Sequence, residues 1–185
     1  MKRVVLIVLM LALASAAFPL DLPAPPRGYA WQECPDVKGA LLVPDGWHFR
    51  RLEAEEGKLA YFITRKPFEP PKPFDVGLTF NVVRDVPGKL GTDPSGFAQQ
   101  FIGSITASYP KARTWQTALG PFVGYGAIYQ GAKGDTAYQF YNLVLTNDKT
   151  GTAFLLVFEA PAADWEREWA TIEPVVKRLA IDDAI

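Results

Sequence analysis

The chain has 185 residues, 19 of them basic and 20 acidic, and its formal net charge at neutral pH is −1. This length suits one domain with a core of its own. We do not expect the chain to bind nucleic acid. Proteins bind nucleic-acid phosphates with clustered Lys and Arg, and this chain has no excess of basic residues. A single cysteine, Cys34, cannot form an internal disulfide, so the core must stabilise the fold.

The first sixteen residues have the pattern of a secretory signal peptide. Lys2 and Arg3 precede an apolar run over residues 4–13, and the small residues 14–16 follow where a signal peptidase cleaves. That run is too short for a membrane-spanning helix, which needs about 20 residues. No cysteine directly follows it to carry a lipid. We therefore expect export to the periplasm or the extracellular space, without a stable membrane anchor.

Prolines dominate residues 17–27, which predicts an extended leader before one domain over residues 28–185. Short strands are predicted at residues 28–32 and 39–44. After the turn residues Pro44, Asp45 and Gly46, alternating residues predict a hairpin, with a polar turn at 55–57. The clearest alternation follows at residues 76–83, where Val76, Leu78, Phe80 and Val82 share one face.

Two helices are predicted in the rest of the chain. Asp93 and Pro94 are typical of a helix start, and apolar residues at helical spacing continue to Pro110. Four strands are then expected at residues 114–119, 122–131, 136–146 and 152–160, with a hairpin turn at 146–151. The last helix is predicted over residues 164–179, with Pro174 kinking or breaking it. Its apolar stripe consists of Trp165, Trp169, Ile172, Val176 and Leu179.

This order of elements predicts an α+β domain with a mainly antiparallel β-sheet and helices packed on its faces. Alternating βαβ units are absent from the predicted order. We expect the last helix to lie flat on the strand that contains Phe154, Leu156 and Phe158, because the short link through Pro161 leaves it little freedom.

Catalytic, metal and cofactor sites are not predicted. His48, the chain's only histidine, lies between two aromatic residues on a predicted strand, and neither it nor Cys34 belongs to a recognisable nucleophile motif. One Cys and one His are too few for a zinc site, and the turn at 146–151 lacks the spaced ligands of a calcium loop. The pair Gly124 and Gly126 lacks the third glycine and the helix of a dinucleotide-binding motif, so it indicates a bulge or a close aromatic neighbour instead.

Aromatic residues are abundant, with five Trp, seven Tyr and twelve Phe. Most of them are expected in the core. Three tyrosines on the predicted strands, Tyr125, Tyr129 and Tyr138, could instead line a binding groove for a lipid, a glycan or a peptide.

Several segments together resemble the PsbP-like family. They are VPDGWHF, YFITR and FDVGLTFNVV in the first half, and the stretch from Ala137 to Leu179 at the end. The resemblance covers residues 28 to 182 and implies an α/β/α sandwich. Members of the family include an extrinsic photosystem II subunit, a Ran-binding import protein and exported bacterial proteins, so it also implies a binding role without catalysis.

The leading hypothesis is therefore an exported, non-catalytic binding or accessory protein with a protein partner. A small-ligand binder that uses Tyr125, Tyr129 and Tyr138 is the alternative. A hydrolase that pairs Cys34 with His48 is a third and weaker hypothesis.

Overall fold

A computed structural model describes residues 22–53, 59–69 and 72–182. The predicted signal peptide, most of the leader and the predicted turn at 55–57 lie outside the described residues. The strands are β1 (Tyr29–Cys34), β2 (Gly39–Pro44), β3 (His48–Glu53), β4 (Leu59–Thr64), β5 (Gly77–Val83), β6 (Arg113–Leu119), β7 (Phe122–Lys133), β8 (Thr136–Asn147) and β9 (Thr152–Pro161). The helices are α1 (Val86–Leu90), α2 (Pro94–Ser108) and α3 (Trp165–Lys177). None of the described helices is long and apolar enough to cross a membrane.

The strands form two sheets, in which every neighbouring pair is antiparallel. Seven strands form the larger sheet in the order β3-β4-β5-β9-β8-β7-β6, and β1 and β2 form a separate two-stranded sheet. The predicted turn before β3 is confirmed, since the Trp47 amide donates to the Pro44 carbonyl at 3.0 Å and Gly46 has a φ of 75°. The predicted hairpin turn between β8 and β9 is confirmed as well, with Gly151 at a φ of 70°.

Helix α3 covers one face of the large sheet, as the sequence predicted. Trp165, Ile172 and Val176 are buried there, and Trp169 packs half-buried on the same core. The indole rings of Trp165 and Trp169 lie 5.2 and 5.8 Å from the Phe158 ring, between centroids. The predicted docking of the last helix on this strand is therefore confirmed.

Of the two outcomes predicted for Pro174, the break is wrong, because α3 continues through this residue to Lys177, and the kink stays a prediction. A proline inside a helix costs about 3 kcal/mol, since it removes one backbone donor and crowds the preceding turn. The residues around it, Ile172, Val175 and Val176, are all buried. Burial of each such side chain contributes about 1.5–3 kcal/mol, and together these contributions exceed the cost of the proline.

The other face of the large sheet is covered by α2. Ala98 of the helix packs there against Val144 and Ala153, with Phe97 and Phe101 beside them. Asp93 caps the helix, because its carboxylate accepts a hydrogen bond from the Gly96 amide. Helices therefore lie on both faces of the sheet, which confirms the predicted α/β/α arrangement. The short helix α1 was not predicted.

The β1–β2 hairpin packs beside α3 and completes the apolar core between α3 and the large sheet. Cys34, Leu41 and Leu42 of the hairpin are buried in the same cluster as the apolar residues of α3. The Ala40 amide donates to the Ala180 carbonyl at 2.7 Å, so β2 also joins the segment that follows α3. Residues near both ends of the described chain thus belong to the same apolar core.

A polar network connects this hairpin to the large sheet. The Asp36 carboxylate, in the turn between β1 and β2, accepts hydrogen bonds from Arg51 Nε at 2.6 Å and from the Tyr61 hydroxyl at 2.7 Å. The hydrogen bond from Arg51 holds the pKa of Asp36 well below its ordinary range. Arg84 also donates to the backbone carbonyl of Asp36.

Gly126 allows the indole ring of Trp115 to lie directly on β7. A Cβ atom placed at Gly126 would fall inside the van der Waals contact distance of that ring. Trp115 in turn contacts Tyr141 across the sheet, with ring centroids 5.3 Å apart. The predicted close aromatic neighbour is therefore confirmed for Gly126, whereas the nearest side chains at Gly124 are those of Thr117, Leu143 and Leu145.

Candidate binding cleft

A cleft of about 800 Å³ lies at the end of the large sheet, where the β4–β5 connection faces the start of α3. We call it the sheet-end cleft and define it by its lining residues: Arg65, Lys66, Pro67, Phe68, Glu69, Lys72, Pro73, Phe74, Asp75, Val76, Thr136, Tyr138, Pro161, Asp164, Arg167 and Glu168. These residues come from distant parts of the chain. The strand order brings them together, because β5 lies between β4 and β9, and β9 leads directly into α3.

A buried carboxylate, Glu168, lies at the helix side of this cleft with 2% of its side chain exposed. Its Oε1 accepts hydrogen bonds from Arg167 Nη2 at 2.9 Å and Nε at 3.1 Å. Its Oε2 lies 3.6 Å from Arg65 Nη1 and has no hydrogen-bond partner among the described residues. Glu168 therefore orients two arginines whose side chains remain 49% (Arg65) and 66% (Arg167) exposed.

Both arginines are held by further contacts as well as by Glu168. Arg167 Nη2 donates to Asp164 Oδ1 at 2.7 Å. The guanidinium of Arg65 lies 5.8 Å from the ring of Trp47, within cation–π distance. Side chains fixed from two sides lose less entropy when they bind a ligand, so this end of the cleft is preorganised.

The aromatic residues Phe74 and Tyr138 also line the cleft, and Lys133, which is not a lining residue, contacts both of them. The ammonium of Lys133 lies 5.4 Å from the Phe74 ring and 4.9 Å from the Tyr138 ring, and it pairs with Glu159. Lys133 also donates to the Phe74 carbonyl at 3.4 Å. These contacts connect Phe74 to β7, β8 and β9.

Phe68 and Phe74 both belong to the β4–β5 connection, and both pack on β4. Their rings lie 4.9 and 6.2 Å from that of Phe62, and 5.4 Å from each other. Arg50 donates to the Phe68 carbonyl at 2.8 Å and lies over the Phe68 ring. The aromatic part of the cleft is therefore a packed cluster.

A second, open groove of about 680 Å³ lies at the start of β6, near the end of α2. Tyr129 lines it, stacked at 4.3 Å on Tyr109 and at 5.1 Å on Phe140. Burial raises the pKa of the Tyr129 hydroxyl. Lys111 and Arg113 are the charged residues of this groove among the described lining residues.

The three predicted ligand-binding tyrosines lie in three different places. Tyr138 lines the sheet-end cleft and Tyr129 lines the groove near α2. Phe140 lies between them, with ring centroids 6.1 Å from Tyr138 and 5.1 Å from Tyr129. Tyr125 packs against the core cluster beneath α2. The structure therefore does not bring the three into one site.

His48 and Cys34 are placed in different surroundings. His48 is exposed and lies opposite Thr64 in the β3–β4 register. Cys34 is fully buried in the β1–β2 hairpin, close to Tyr61. Tyr61 lies opposite Arg51 in the β3–β4 register, and Arg51 is three residues from His48 along β3. The side chains of Tyr61 and His48 are therefore roughly 10 Å apart along the strand and lie on opposite faces of the sheet. Burial raises the pKa of the Cys34 thiol to about 12, so it is uncharged at neutral pH and a poor nucleophile.

Glu168 and the two arginines were not predicted from the sequence. A usable signal was present, because Glu168 follows Trp165 by three residues and precedes Ile172 by four, which places it on the buried stripe of α3.

Within the described ranges, no three His, Cys, Asp or Glu residues are grouped as a metal site would require.

The class of fold is an antiparallel sheet between helices, and comparison with known proteins supports a more specific assignment. Neither a protein-family model nor a curated protein matches the chain. The solution structure of cyanobacterial PsbP (CyanoP) from Synechocystis sp. PCC 6803 aligns over 84% of this chain and 93% of its own, with a TM-score of 0.54 and 13% identity.

The Saccharomyces cerevisiae Ran-binding protein Mog1p aligns over 83% of this chain and 95% of its own, with a TM-score of 0.51 and 10% identity. The chain therefore has the PsbP-like fold, as its sequence pattern predicted. Identities this low are evidence for a common fold and leave the function to be argued from the site.

Proposed function

We propose that this chain is a non-catalytic binding or accessory protein that binds its partner in the sheet-end cleft. The observation that carries the proposal is the buried Glu168, which holds Arg65 and Arg167 at the edge of an 800 Å³ cleft. Concave sites with a few fixed polar groups beside apolar walls are where proteins bind ligands.

The charges of the cleft indicate what it binds. Four of its lining residues are cationic and four are acidic, so their formal charges cancel: Arg65, Lys66, Lys72 and Arg167 against Glu69, Asp75, Asp164 and Glu168. Balanced charges favour a neutral or zwitterionic group, such as part of a polypeptide, over a polyanion. A fold shared with a Ran-binding protein supports a protein partner.

The surroundings of Cys34 and His48 argue against the hydrolase hypothesis that pairs them. The thiol is buried and uncharged, and the imidazole lies on the opposite side of the sheet. A hydrolytic activity that His48→Ala abolishes would overturn the non-catalytic role.

The proposal places the mature protein outside the inner membrane, starting at Ala17, because residues 1–16 have the pattern of a signal peptide. N-terminal sequencing of the protein from the exported fraction tests this part. A cytoplasmic protein that retains Met1–Ala16 would contradict it.

Capture of partners from the exported fraction tests the cleft directly. Lys66 lines the cleft with 80% of its side chain exposed, so Lys66→Glu should change its charge without disturbing the fold. Arg178→Glu is the matched control, since this exposed residue follows α3 and is not among the residues that line the cleft. We expect the parent and Arg178→Glu to capture the same partner, and Lys66→Glu to lose it. Equal capture by all three proteins would show that binding occurs elsewhere.

A small ligand is the second candidate, and the position of Tyr138 in the cleft favours it. Mass spectrometry of molecules extracted from the purified protein would identify a lipid, a glycan or a peptide. Tyr138→Ala should then lose the ligand, whereas Tyr125→Ala should retain it, because Tyr125 packs beneath α2. Ligand retained by Tyr138→Ala would exclude the cleft as its site.

A further inference from the structure

Strand β6 is an open edge of the large sheet. Among the described strands it pairs only with β7, in an uninterrupted register from Arg113 opposite Ile128 to Leu119 opposite Phe122. Its exposed residues are Arg113, Thr114, Gln116, Ala118 and Leu119. The outward amide and carbonyl groups of such a strand are a template for pairing with another strand.

The opposite edge, β3, is protected by its charges. Its exposed residues are His48, Arg50, Arg51 and Glu53. Pairing of β3 with the same strand of another copy, centred on the strand, would place Arg50 opposite Arg51, and like charges in that position are destabilising. By contrast, β6 contains one charged residue, Arg113, and neither a proline nor a bulge. The two edges therefore differ in their capacity for self-pairing.

We propose that β6 pairs antiparallel with β6 of a second copy of this chain, around a two-fold axis at Gln116. In this register Gln116 meets Gln116 of the second copy, and Trp115 meets Thr117. Arg113 meets Leu119, so no two like charges lie opposite each other. A strand that is compatible with itself in this way fits the symmetric interface of a two-fold dimer.

The same register accounts for the exposed leucine at the end of β6. Leu119 is 36% exposed, on the face that also carries Trp115. The aliphatic part of Arg113 from the second copy would cover Leu119, since arginine can pack its stem on apolar surface and keep its charge in water. The turn after Leu119, Gly120–Pro121, would lie opposite Lys111 and Ala112, at the rim of the groove near α2.

The expected dimer is weak. Stable interfaces bury about 1,600 Å² in total, more than the edge of one seven-residue strand supplies. We therefore expect a concentration-dependent equilibrium with a Kd of about 10–100 μM. The interface lies apart from the sheet-end cleft, so the dimer and the proposed binding function can fail independently.

Two substitutions at Leu119 test the register, because they should act in opposite directions. Leu119→Glu places an acid opposite Arg113 of the second copy, and Leu119→Lys places a like charge there. Each dimer contains two such pairs, so we expect their dimer Kd values to differ by about tenfold at low salt. High salt should reduce this difference, since these charges are exposed. Leu90→Glu, at an exposed position of α1, is the control and should leave the parent Kd unchanged.

Sedimentation equilibrium over a concentration series, with thermal melts of each variant to verify folding, measures these constants. Tighter association of Leu119→Glu than of Leu119→Lys supports the proposed pairing. A parent chain that stays monomeric up to about 1 mM overturns it. A dimer whose Kd is equal in the two variants also overturns it, since that dimer would use another surface.

Discussion

Trp169 connects α3 to the sheet, and its removal should weaken the fold measurably. Its indole stacks on Trp165 at 5.5 Å and contacts Tyr141 at 4.6 Å and Phe158 at 5.8 Å, between ring centroids. Replacement of a fully buried Trp by Ala costs about 3–5 kcal/mol. Trp169 is only half-buried, so we expect Trp169→Ala to lower the free energy of unfolding by about 2–3 kcal/mol. This is a large share of the roughly 5–15 kcal/mol that stabilises a domain.

Thermal melts followed by circular dichroism provide the measurement. For a chain of this size, a loss of 2–3 kcal/mol lowers Tm by about 5–10 °C. Ile172→Ala, at a fully buried position of the same helix, should lower it at least as much. Leu90→Ala, at a residue 49% exposed, should change stability by less than about 0.5 kcal/mol. If Trp169→Ala melts like the parent while Ile172→Ala does not, the aromatic contacts of Trp169 contribute nothing to stability and the reasoning is wrong.

Three further predictions concern the interior. The pKa of Asp36 is lowered in the folded state, so its ionised form stabilises the protein above the ordinary pKa of about 4, and this contribution is lost as the pH falls toward the folded value. Asp36→Asn should therefore melt below the parent at pH 7, with a difference that shrinks from about pH 4 downward; a difference constant with pH would contradict this. Gly126→Ala should lower the free energy of unfolding in urea by about 1–3 kcal/mol, because its methyl group collides with Trp115, and Trp115→Val in the same chain should recover part of it. The Cys34 thiol, with a pKa raised to about 12, should resist alkylation at pH 8 in the native protein and react in urea, so rapid native labelling would show that it is accessible.

The strands that could be predicted best are those that expose one face more than the other. In β4, the residues Leu59, Tyr61 and Ile63 are buried and alternate with half-buried neighbours, and the period of two was visible in the sequence. In β8, residues 141–147 are all buried, so the strand could be predicted but not the face that each residue occupies. The missed helix α1 is five residues long and contains Pro87 and Gly88, both of which disfavour a helix.

The sheet-end cleft could not be predicted, because no local pattern encodes it. It depends on the order of strands, which places the β4–β5 connection beside a helix about ninety residues later in the chain. Tyr138 was predicted as a ligand-binding residue from its type alone, and its place in the cleft became visible only with this topology. Helical spacing in the sequence was sufficient to predict that Glu168 is buried, but not that it pairs with Arg65.

The bond between Ala40 and Ala180 also affects the order in which the molecule can fold. The hairpin of β1 and β2 precedes the other described strands and helices, yet it packs on α3 and on the segment after it, which are the last described parts of the chain. The Tyr29 hydroxyl reaches the Thr171 carbonyl at 2.9 Å across 142 residues of sequence. Contacts of such separation form slowly, because the loop between them must close before the contact contributes. The hairpin can therefore complete its packing only after α3 has been made, and a chain truncated before Trp165 would leave Leu41 and Leu42 without the apolar residues of α3 in their cluster.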